Sequence, residues 1–454
     1  MTRAPARVRL QKNLARAIAN GQPWLWRDAL AGTPQFADGA MVTVENATGR
    51  ALARGFWDAR SPIAVRILAT GAGRDDLAGV VAERAADALA RRIGATPDAA
   101  IDRSETDAFR WIHGEADRLP GVHADVYGAA VVVRFDGDGA RAFYTHAALP
   151  EKLRAAGAAA GLRVDSVLER QRGDEAGARP LLGAEPPAGE VEVREHGLHF
   201  GVDLRRGQKG GLFLDQRENR ALVRTLARDR RVLNLFGYTG GFSIYAAAGG
   251  ARQTVTVDAA APAIAAAGRN FERNGLPVEP WEGSTPPAMG SREPSSRSPT
   301  RLPVEPWEGS TPPAMGSREP SSRSPTRSAA ARLVVGDAFE FLARAVSSRE
   351  RFDLVISDPP AFAPSRRALG AGLRAYRRLH RLATEVTAPG GLLCAASCSS
   401  HVDRAAFLAS VQEGARDAGR RFTLRELRGA GPDHPVIPAF PEGDYLKFAV
   451  GVLE

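Results

Sequence analysis

Two short segments in the carboxyl half of this 454-residue chain hold side chains able to make and break bonds. One is Leu392-Leu393-Cys394-Ala395-Ala396-Ser397-Cys398-Ser399-Ser400, and the other is Ile356-Ser357-Asp358-Pro359-Pro360-Ala361-Phe362. Ionised Cys398 is a nucleophile that can add to an electrophilic ring carbon. A thiol of pKa about 8.5 is only a few per cent ionised at neutral pH, so its surroundings must supply a donor or a positive potential. Asp358, stiffened by two prolines, can hydrogen-bond a ring edge or exchange a proton with a ring nitrogen. Two more carboxylates close apolar runs, Asp258 after Val257 and Asp337 after Gly336. The first can accept both hydroxyl hydrogens of a ribose, and the second can accept from an adenine amino group. The loop Phe236-Gly237-Tyr238-Thr239-Gly240-Gly241-Phe242-Ser243 follows the run Val232-Leu233-Asn234-Leu235, and its glycines allow close approach to the backbone. Singly these features read as a βα turn, helix caps and turn punctuation. In register at successive strand ends, they describe a nucleoside-bearing ligand beside a nucleophile. The glycine spacing is not G-x-G-x-x-G, which argues against a dinucleotide-dependent dehydrogenase. Cys394, inside its apolar run, is expected to be a small core residue.

Such residues need a scaffold that gathers strand ends. After Gly211 the sequence alternates helix and strand. Helix 216–230 pairs Leu222 with Leu226 and Val223 with Ala227 at i,i+4 spacing, and Asp215 with Glu218 resembles a capping box. Strands are expected at 231–235, 253–257, 332–335, 352–357, 391–396 and 445–453. The helices between them are expected at 243–248, 259–274, 338–346, 376–386 and 404–418. Repeated βα units with apolar strands predict a doubly wound, mainly parallel α/β sheet. Ligands of such sheets bind beyond the carboxyl ends of the strands, where the glycine-rich loop, Asp258, Asp337, Asp358 and Cys398 all fall.

Upstream the grammar differs. Residues 8–65 hold short β-like pieces such as 41–44 and 63–68, broken by Gly and Pro, as in a small barrel or sandwich. A helix at 75–93, apolar runs over 109–135, a helix at 150–161 and a strand at 164–168 describe an α+β region. A hairpin of 189–194 and 198–203, turning at Glu195-His196-Gly197, precedes the alternating part.

Composition narrows the class. The chain is 44% hydrophobic and 25% charged, which is globular, and no apolar run approaches the ~20 residues of a membrane span. No signal-peptide core follows Met1. Two cysteines suit a reducing cytosol and are too few for a disulfide framework or a four-ligand zinc site. The net charge of +9 favours a polyanionic partner. Residues 276–301 recur without change at 302–327, and each 26-residue copy holds six prolines, balanced charge and few aliphatic residues. One duplication is no solenoid, and so polar a segment cannot offset ordering costs of about 1–2 kcal/mol per residue. It is read as a disordered insertion that contributes nothing to the surplus of positive charge.

The Asp358-Pro359-Pro360-Ala361-Phe362 loop resembles that of class I S-adenosylmethionine-dependent methyltransferases that modify planar nitrogen-containing rings. Asparagine is commoner at its first position, while aspartate recurs in enzymes acting on pyrimidine carbon. Carbon 5 of cytosine is a poor nucleophile until a thiolate adds at carbon 6, which makes a cysteine necessary. Outside the duplication the chain resembles, over nearly its whole length, the PUA-domain-containing bacterial 23S rRNA 5-methylcytosine methyltransferases. The resemblance rests on Arg54-Gly55-Phe56 with Ile63-Ala64-Val65-Arg66-Ile67-Leu68, on Gly114-Glu115-Ala116-Asp117-Arg118-Leu119-Pro120-Gly121, and on the stretch from Gly207-Gln208-Lys209-Gly210-Gly211 through Asp215-Gln216-Arg217-Glu218-Asn219-Arg220. The glycine-rich loop, Asp358 to Phe362, Ser397-Cys398-Ser399 and Asp433-His434-Pro435 complete it. Gly210 and Leu212 stand where threonine and phenylalanine are expected.

The resemblance implies a PUA-like RNA-binding domain at 1–72, an α+β middle domain at 73–188 and a Rossmann-like methyltransferase domain at 189–454. It implies S-adenosyl-L-methionine as cofactor, held by Asn234, Phe236, Gly237, Tyr238, Thr239, Gly240, Gly241, Asp258, Asp337, Asp358, Pro359 and Gln216. Cys398 would be the nucleophile and Asp358 its partner in proton handling. Lys209, Arg217, Pro360, Phe362 and His434 would meet the substrate, an unstacked cytosine of 23S rRNA. The Asp358 loop lacks a second cysteine, so release of the adduct falls to another base such as Asp358 or water. A cytoplasmic protein with no metal is expected, and a homodimer is allowed. Two other readings stay open, an rRNA guanine-nitrogen methyltransferase, which needs no thiol, and a catalytically inactive RNA-binding protein.

Overall fold

The structure, a computed structural model, describes residues 6–71, 76–94, 99–170, 177–185, 188–205, 211–280 and 330–454. Strands Ala6–Arg9 (β1), Trp24–Trp26 (β2), Met41–Glu45 (β3), Ala51–Trp57 (β4) and Ile63–Thr70 (β5), with helix Ala15–Ala19 (α1), build a first sheet in the order β1-β3-β4-β5-β2. Only β1 and β3 run parallel in it. Val8, Leu25, Val42, Val44 and Val65 alternate inward around Trp57 to form its core.

Helix Leu77–Ile93 (α2) follows, capped by the Asp76 carboxylate, which accepts from the Gly79 N–H at 2.8 Å. Its Val81, Ala85, Ala88 and Leu89 make one apolar stripe. They pack on a second sheet of Ala108–His113 (β6), Val122–Tyr127 (β7), Ala130–Phe135 (β8), Ser166–Glu169 (β9) and Arg179–Gly183 (β10), interrupted by helices Asp138–His146 (α3) and Leu149–Ala159 (α4). Phe56 of β4 stacks on Phe143 of α3 with centroids 4.6 Å apart, so the first two sheets share a core. The hairpin Glu190–Glu195 (β11) and Leu198–Asp203 (β12) turns at His196 and Gly197, both with positive φ, the two-residue geometry that follows strand twist.

The carboxyl part is doubly wound, as expected. Helix Arg217–Leu226 (α5) leads into strand Arg231–Leu235 (β13), helix Gly241–Ala248 (α6), strand Gln253–Asp258 (β14) and helix Ala261–Arg273 (α7). Then come strand Arg332–Val335 (β15), helix Ala338–Ser347 (α8), strand Phe352–Ser357 (β16), helix Leu369–Val386 (α9), strand Thr387–Ser397 (β17), helix Arg404–Asp417 (α10) and strands Phe422–Arg428 (β18) and Lys447–Leu453 (β19). The order β15-β14-β13-β16-β17-β19-β18 has its first five strands parallel and its last two antiparallel. Leu393 and Ala395 of β17 face the core shared with Leu379 and Phe407, while Leu392, Cys394 and Ala396 face that of Val223 and Phe242. Helices therefore cover both faces. Cys394 is wholly buried, and that burial pushes its thiol up to about 12, as fits a core residue.

Several expectations need correction. The helix expected at 216–230 spans only Arg217–Leu226, and its N-cap residue, Gln216, makes no side-chain cap. The capping box is not used: Asp215 instead accepts from the Tyr445 hydroxyl at 2.6 Å. Helix α9 starts seven residues earlier than expected, and β18 was not anticipated. The duplication lies largely outside the described residues, but its first five residues do not. The Val278–Ala331 bridge and the Ala331 N–H donating to Pro277 O at 2.8 Å tie this start to the chain entering β15, so residues 276–280 are not a loose insertion.

The duplication enters between the end of α7 and the start of β15, on the amino side of the sheet and opposite the strand ends that carry the carboxylates. Excising one copy, 302–327, recreates the original junction of Arg301 with Ser328 and keeps the paired 276–280 segment. We expect the unfolding midpoint and the S-adenosylmethionine affinity by calorimetry to match those of the full chain; loss of cofactor binding would show that the second copy supports the site.

Candidate active site

The strand order reverses between β13 and β16, and at such a point the loops after the two strands splay apart and leave a crevice. A cleft of about 2490 Å³ opens there, with walls from the two five-stranded sheets and the seven-stranded one. The loop after β13 forms its floor. Phe236 and Tyr238 adopt positive φ of 56° and 47°, a conformation non-glycine residues rarely take and one that clusters at ligand sites. Hydrogen bonds hold them there. The Gly237 N–H donates to Val257 O, and the Tyr238 N–H to Asp258 Oδ2, each at 2.9 Å. A Cβ at Gly237 would lie 2.4 Å from Thr256 Cγ2, so only glycine fits. Asn234 and Gly240 support the loop from behind. Asn234 is buried and donates to Ser243 Oγ at 3.0 Å, and Gly240, at φ +83°, packs on Ala267.

The carboxylates arrive as the topology requires. Asp258 ends β14 and lines the cleft, its second oxygen accepting from the Ala260 N–H at 2.9 Å. Asp337 follows β15 and also lines the cleft, but it caps α8 by accepting from the Glu340 N–H at 3.0 Å. The cap reading therefore holds for Asp337 alongside its position on the cleft wall. Asp358 follows β16, and Gln216 Nε2 donates to its Oδ2 at 2.9 Å. The Gln216 amide is oriented in turn by Asn219 Nδ2 at 2.6 Å. Pro359 is buried and Pro360 exposed, and Phe362 packs on Tyr376 with centroids 4.9 Å apart. Gly372 in α9 lets that helix press on this loop, since a Cβ there would come within 2.8 Å of Phe362 O.

Cys398, the first residue beyond β17, is partly exposed and lines the cleft with Asp358 and Tyr238. Its neighbours are fixed. Ser397 donates to the Tyr376 hydroxyl at 2.9 Å, and that hydroxyl lies 3.0 Å from Ser399 Oγ. Lys447, opposite Ser397 in the β17–β19 register, is buried and donates its Nζ to Ser399 O at 2.7 Å and to Tyr445 O at 2.8 Å. Burial pulls the Lys447 ammonium down to about 8, partly opposed by Asp444 and Cys398. A cation held next to the cysteine segment is the positive potential a thiolate needs. Neither Lys447 nor Tyr376 was singled out from sequence. The available signal was one lysine opening an otherwise apolar terminal strand.

Two expected substrate residues lie elsewhere. Arg217 is buried, with Nη1 and Nη2 each 2.9 Å from the Asp433 carboxylate, so its guanidinium is engaged inside the protein. His434 is buried beside it, its Nδ1 3.1 Å from Asp433 Oδ1 and its ring 5.1 Å from that of His113. Burial holds the His434 and His113 imidazoles below the usual histidine range. Both Arg217 and His434 stiffen the wall from behind. Lys209 lies outside the described residues.

Comparison with known proteins fits this geometry. A family profile described as S-adenosylmethionine-dependent methyltransferase matches residues 124–279, and a PUA-like domain profile matches 8–70. A Deinococcus radiodurans protein named ribosomal RNA large subunit methyltransferase is 32% identical over 452 residues, 97% of this chain and 96% of the relative. The chain belongs to the large-subunit ribosomal RNA methyltransferase family. A Citrobacter koseri member, named ribosomal RNA large subunit methyltransferase I, is 30% identical and covers 98% of this chain and 99% of its own. The fold is shared with SMU.776, solved in complex with SAH, at a TM-score of 0.72, 20% identity and 99% coverage of both chains. As a member of this family the chain is an S-adenosylmethionine-dependent methyltransferase, and the cradle that a Cβ at Gly237 would fill, with carboxylates at two strand ends, fits that cofactor.

Removing one member of a buried charge pair leaves the other uncompensated, which typically costs about 3–5 kcal/mol. Arg217→Ala should therefore lower the unfolding free energy, read from denaturant titration, by about that amount, and Arg217→Met combined with Asp433→Leu should recover part of it. Unchanged stability with a raised KM for RNA would return Arg217 to the substrate surface.

Proposed function

We propose that this methyltransferase forms 5-methylcytosine in large-subunit ribosomal RNA through a covalent adduct with Cys398. The observation that carries this reading is that Cys398 and Asp358 line one cleft at adjacent strand ends, with the buried Lys447 ammonium anchored on the carbonyl of Ser399. A nitrogen methyltransferase has no use for a thiol there. The related proteins named above act, by their names, on large-subunit rRNA, which supplies the substrate class. We assign residues 1–72 and 73–188 to RNA binding and 189–454 to catalysis, in the cytoplasm.

Asp258 would accept the ribose hydroxyl hydrogens of the cofactor, and the backbone of Phe236 to Gly241 would border it, with Asp337 and Gln216 beside them. When bound, S-adenosylmethionine supplies an electrophilic methyl group. The Cys398 thiolate adds to carbon 6 of the cytosine, forming a C–S bond and shifting the ring electrons so that carbon 5 becomes enamine-like. Asp358 hydrogen-bonds the base edge, and Pro360 and Phe362 border it. After carbon 5 has gained the methyl group, a base removes its proton, for which Asp358 and water are the candidates. The C–H electrons re-form the 5,6 double bond and expel the thiolate. Lys447 favours the thiolate at both ends of this cycle.

Cys398→Ala should abolish 5-methylcytosine formation, read by mass spectrometry of digested 23S rRNA from a deletion strain carrying the variant, while cofactor affinity stays near wild type. Full modification by the variant, or a methylated guanine in its place, would reject the reading.

The pH profile tests Lys447. Rate should rise as the thiol ionises and fall above about pH 8 as Lys447 loses its proton. Because the folded value lies below the ordinary 10.5, the native state binds fewer protons than the unfolded chain across that window, so stability rises with pH there and the falling limb is not unfolding. Lys447→Arg keeps its charge and should move the falling limb to higher pH; an unchanged limb would separate Lys447 from the thiol.

A further inference from the structure

Among the described residues, four large apolar side chains are conspicuously exposed, and two of them, Trp26 at 46% and Val436 at 47%, line the cleft that holds Cys398. Scattered exposed apolar residues need no explanation, but a pair on the rim of one cleft points to a ligand. The backbone around Trp26 is also constrained. A bulge in the β2–β5 pairing falls between Leu25 and Trp26, and bulges re-aim side chains. The next residue is tied down. The Arg27 N–H donates to Pro62 O at 2.9 Å, and its guanidinium donates to the carbonyls of Asp58, Ala59 and Ser61.

Trp24 is the brace beneath. Its indole N–H donates to Glu115 at 2.6 Å, its face takes the Arg66 guanidinium at 5.5 Å, and Phe440 meets it edge-on with centroids 4.5 Å apart. Trp26 stands at 82° to Trp24, 6.3 Å away. The result is an exposed aromatic ring at the rim that meets the braced Trp24 edge-on. Elsewhere the cleft is lined by Arg134 and by Arg170, whose guanidinium has no ion pair among the described residues and is lowered in pKa by burial. Planar aromatic surface and positive charge in one cleft match the two faces of an unpaired nucleic acid strand, its bases and its phosphates.

We propose that Trp26 is a stacking platform for an unpaired nucleobase flanking the target nucleotide. The proposal rests on the RNA-substrate reading above and extends it to how the strand is held. Stacking on an aromatic side chain contributes about 1–3 kcal/mol per base, so losing it should weaken binding about 5- to 150-fold.

The test uses the full chain and a fluorescently labelled single-stranded RNA oligonucleotide, followed by anisotropy across a salt series. Trp26→Ala should weaken binding by that factor without changing the slope of log affinity against log salt, because no phosphate contact is lost. Trp26→Phe should restore most of the affinity, which separates stacking from a folding defect. Intrinsic fluorescence should be quenched by the oligonucleotide in the wild type and much less in Trp26→Phe. Wild-type affinity for Trp26→Ala, or an equal loss for a duplex of the same sequence, would overturn the platform. The outcomes stay distinct from those for Cys398: a chain that binds the strand through Trp26 yet makes no 5-methylcytosine refutes the cytosine reading and supports the platform.

Discussion

The buried pair of Arg217 and Asp433 is the constraint on which the cleft depends. Both groups are removed from water, a cost that mutual attraction offsets only when every lone pair and proton finds a partner. Asp433 meets that condition. Besides Arg217 it accepts the backbone N–H of Arg110 at 2.9 Å, and His434 lies against it, while the Asp433 carbonyl accepts from Arg92 at 2.9 Å. Through its carboxylate and its carbonyl, this one residue joins α2, β6, the start of α5 and the loop before β19. With Arg217 fixed, Gln216 is held where its amide meets Asp358. With the loop from Pro435 fixed, Phe440 reaches Trp24 on the first sheet. Asp433 is held well below the usual carboxylate range by His434 and Arg217, against the opposing effect of burial.

The parts of the cleft that do chemistry and the parts that position it come from different kinds of structure. Asp258, Asp337, Asp358 and Cys398 all sit at carboxyl ends of parallel strands, where βα topology converges whatever the sequence of the loops. Their supports come from elsewhere: Lys447 from an antiparallel strand, Tyr376 from a helix, Gln216 from the turn before α5. The β17–β19 pairing sets Lys447 opposite Ser397, and a one-residue slip would turn it to the other face of the sheet. Register, more than proximity in sequence, decides whether Cys398 has a cation behind it.

What sequence could reveal follows from the same division. The bounds of β13, β15 and β16 were legible because each is a short apolar run between turn residues, and the residue after each could be read directly. Strand β18 was not, because Phe422-Thr423-Leu424-Arg425-Glu426-Leu427-Arg428 mixes charge with apolar residues and a register shift between Leu424 and Glu426 breaks the period of two. The start of α9 was hidden by Gly370 and Gly372, which weaken helix propensity, although Gly372 is needed for close packing on the Asp358 loop. The Asp215–Glu218 pattern matched a local motif, yet a tyrosine 230 residues away claims the Asp215 carboxylate. Arg217 and His434 look like exposed polar residues in sequence, and only their partners across the fold show that they are buried. The large-subunit RNA specificity came from resemblance, since no local pattern encodes it.

The proposed reaction turns on a bond from the Cys398 sulfur to carbon 6 of a cytosine. It is tested most directly by incubating the enzyme and cofactor with target RNA in which 5-fluorocytidine replaces cytidine. Fluorine at carbon 5 leaves no proton to remove after methylation, so the thiolate cannot be expelled and the adduct persists. Tryptic mass spectrometry should then find the peptide containing Cys398 carrying a methylated fluoropyrimidine nucleotide, and a nucleotide on no cysteine, with the RNA still methylated, would contradict the account.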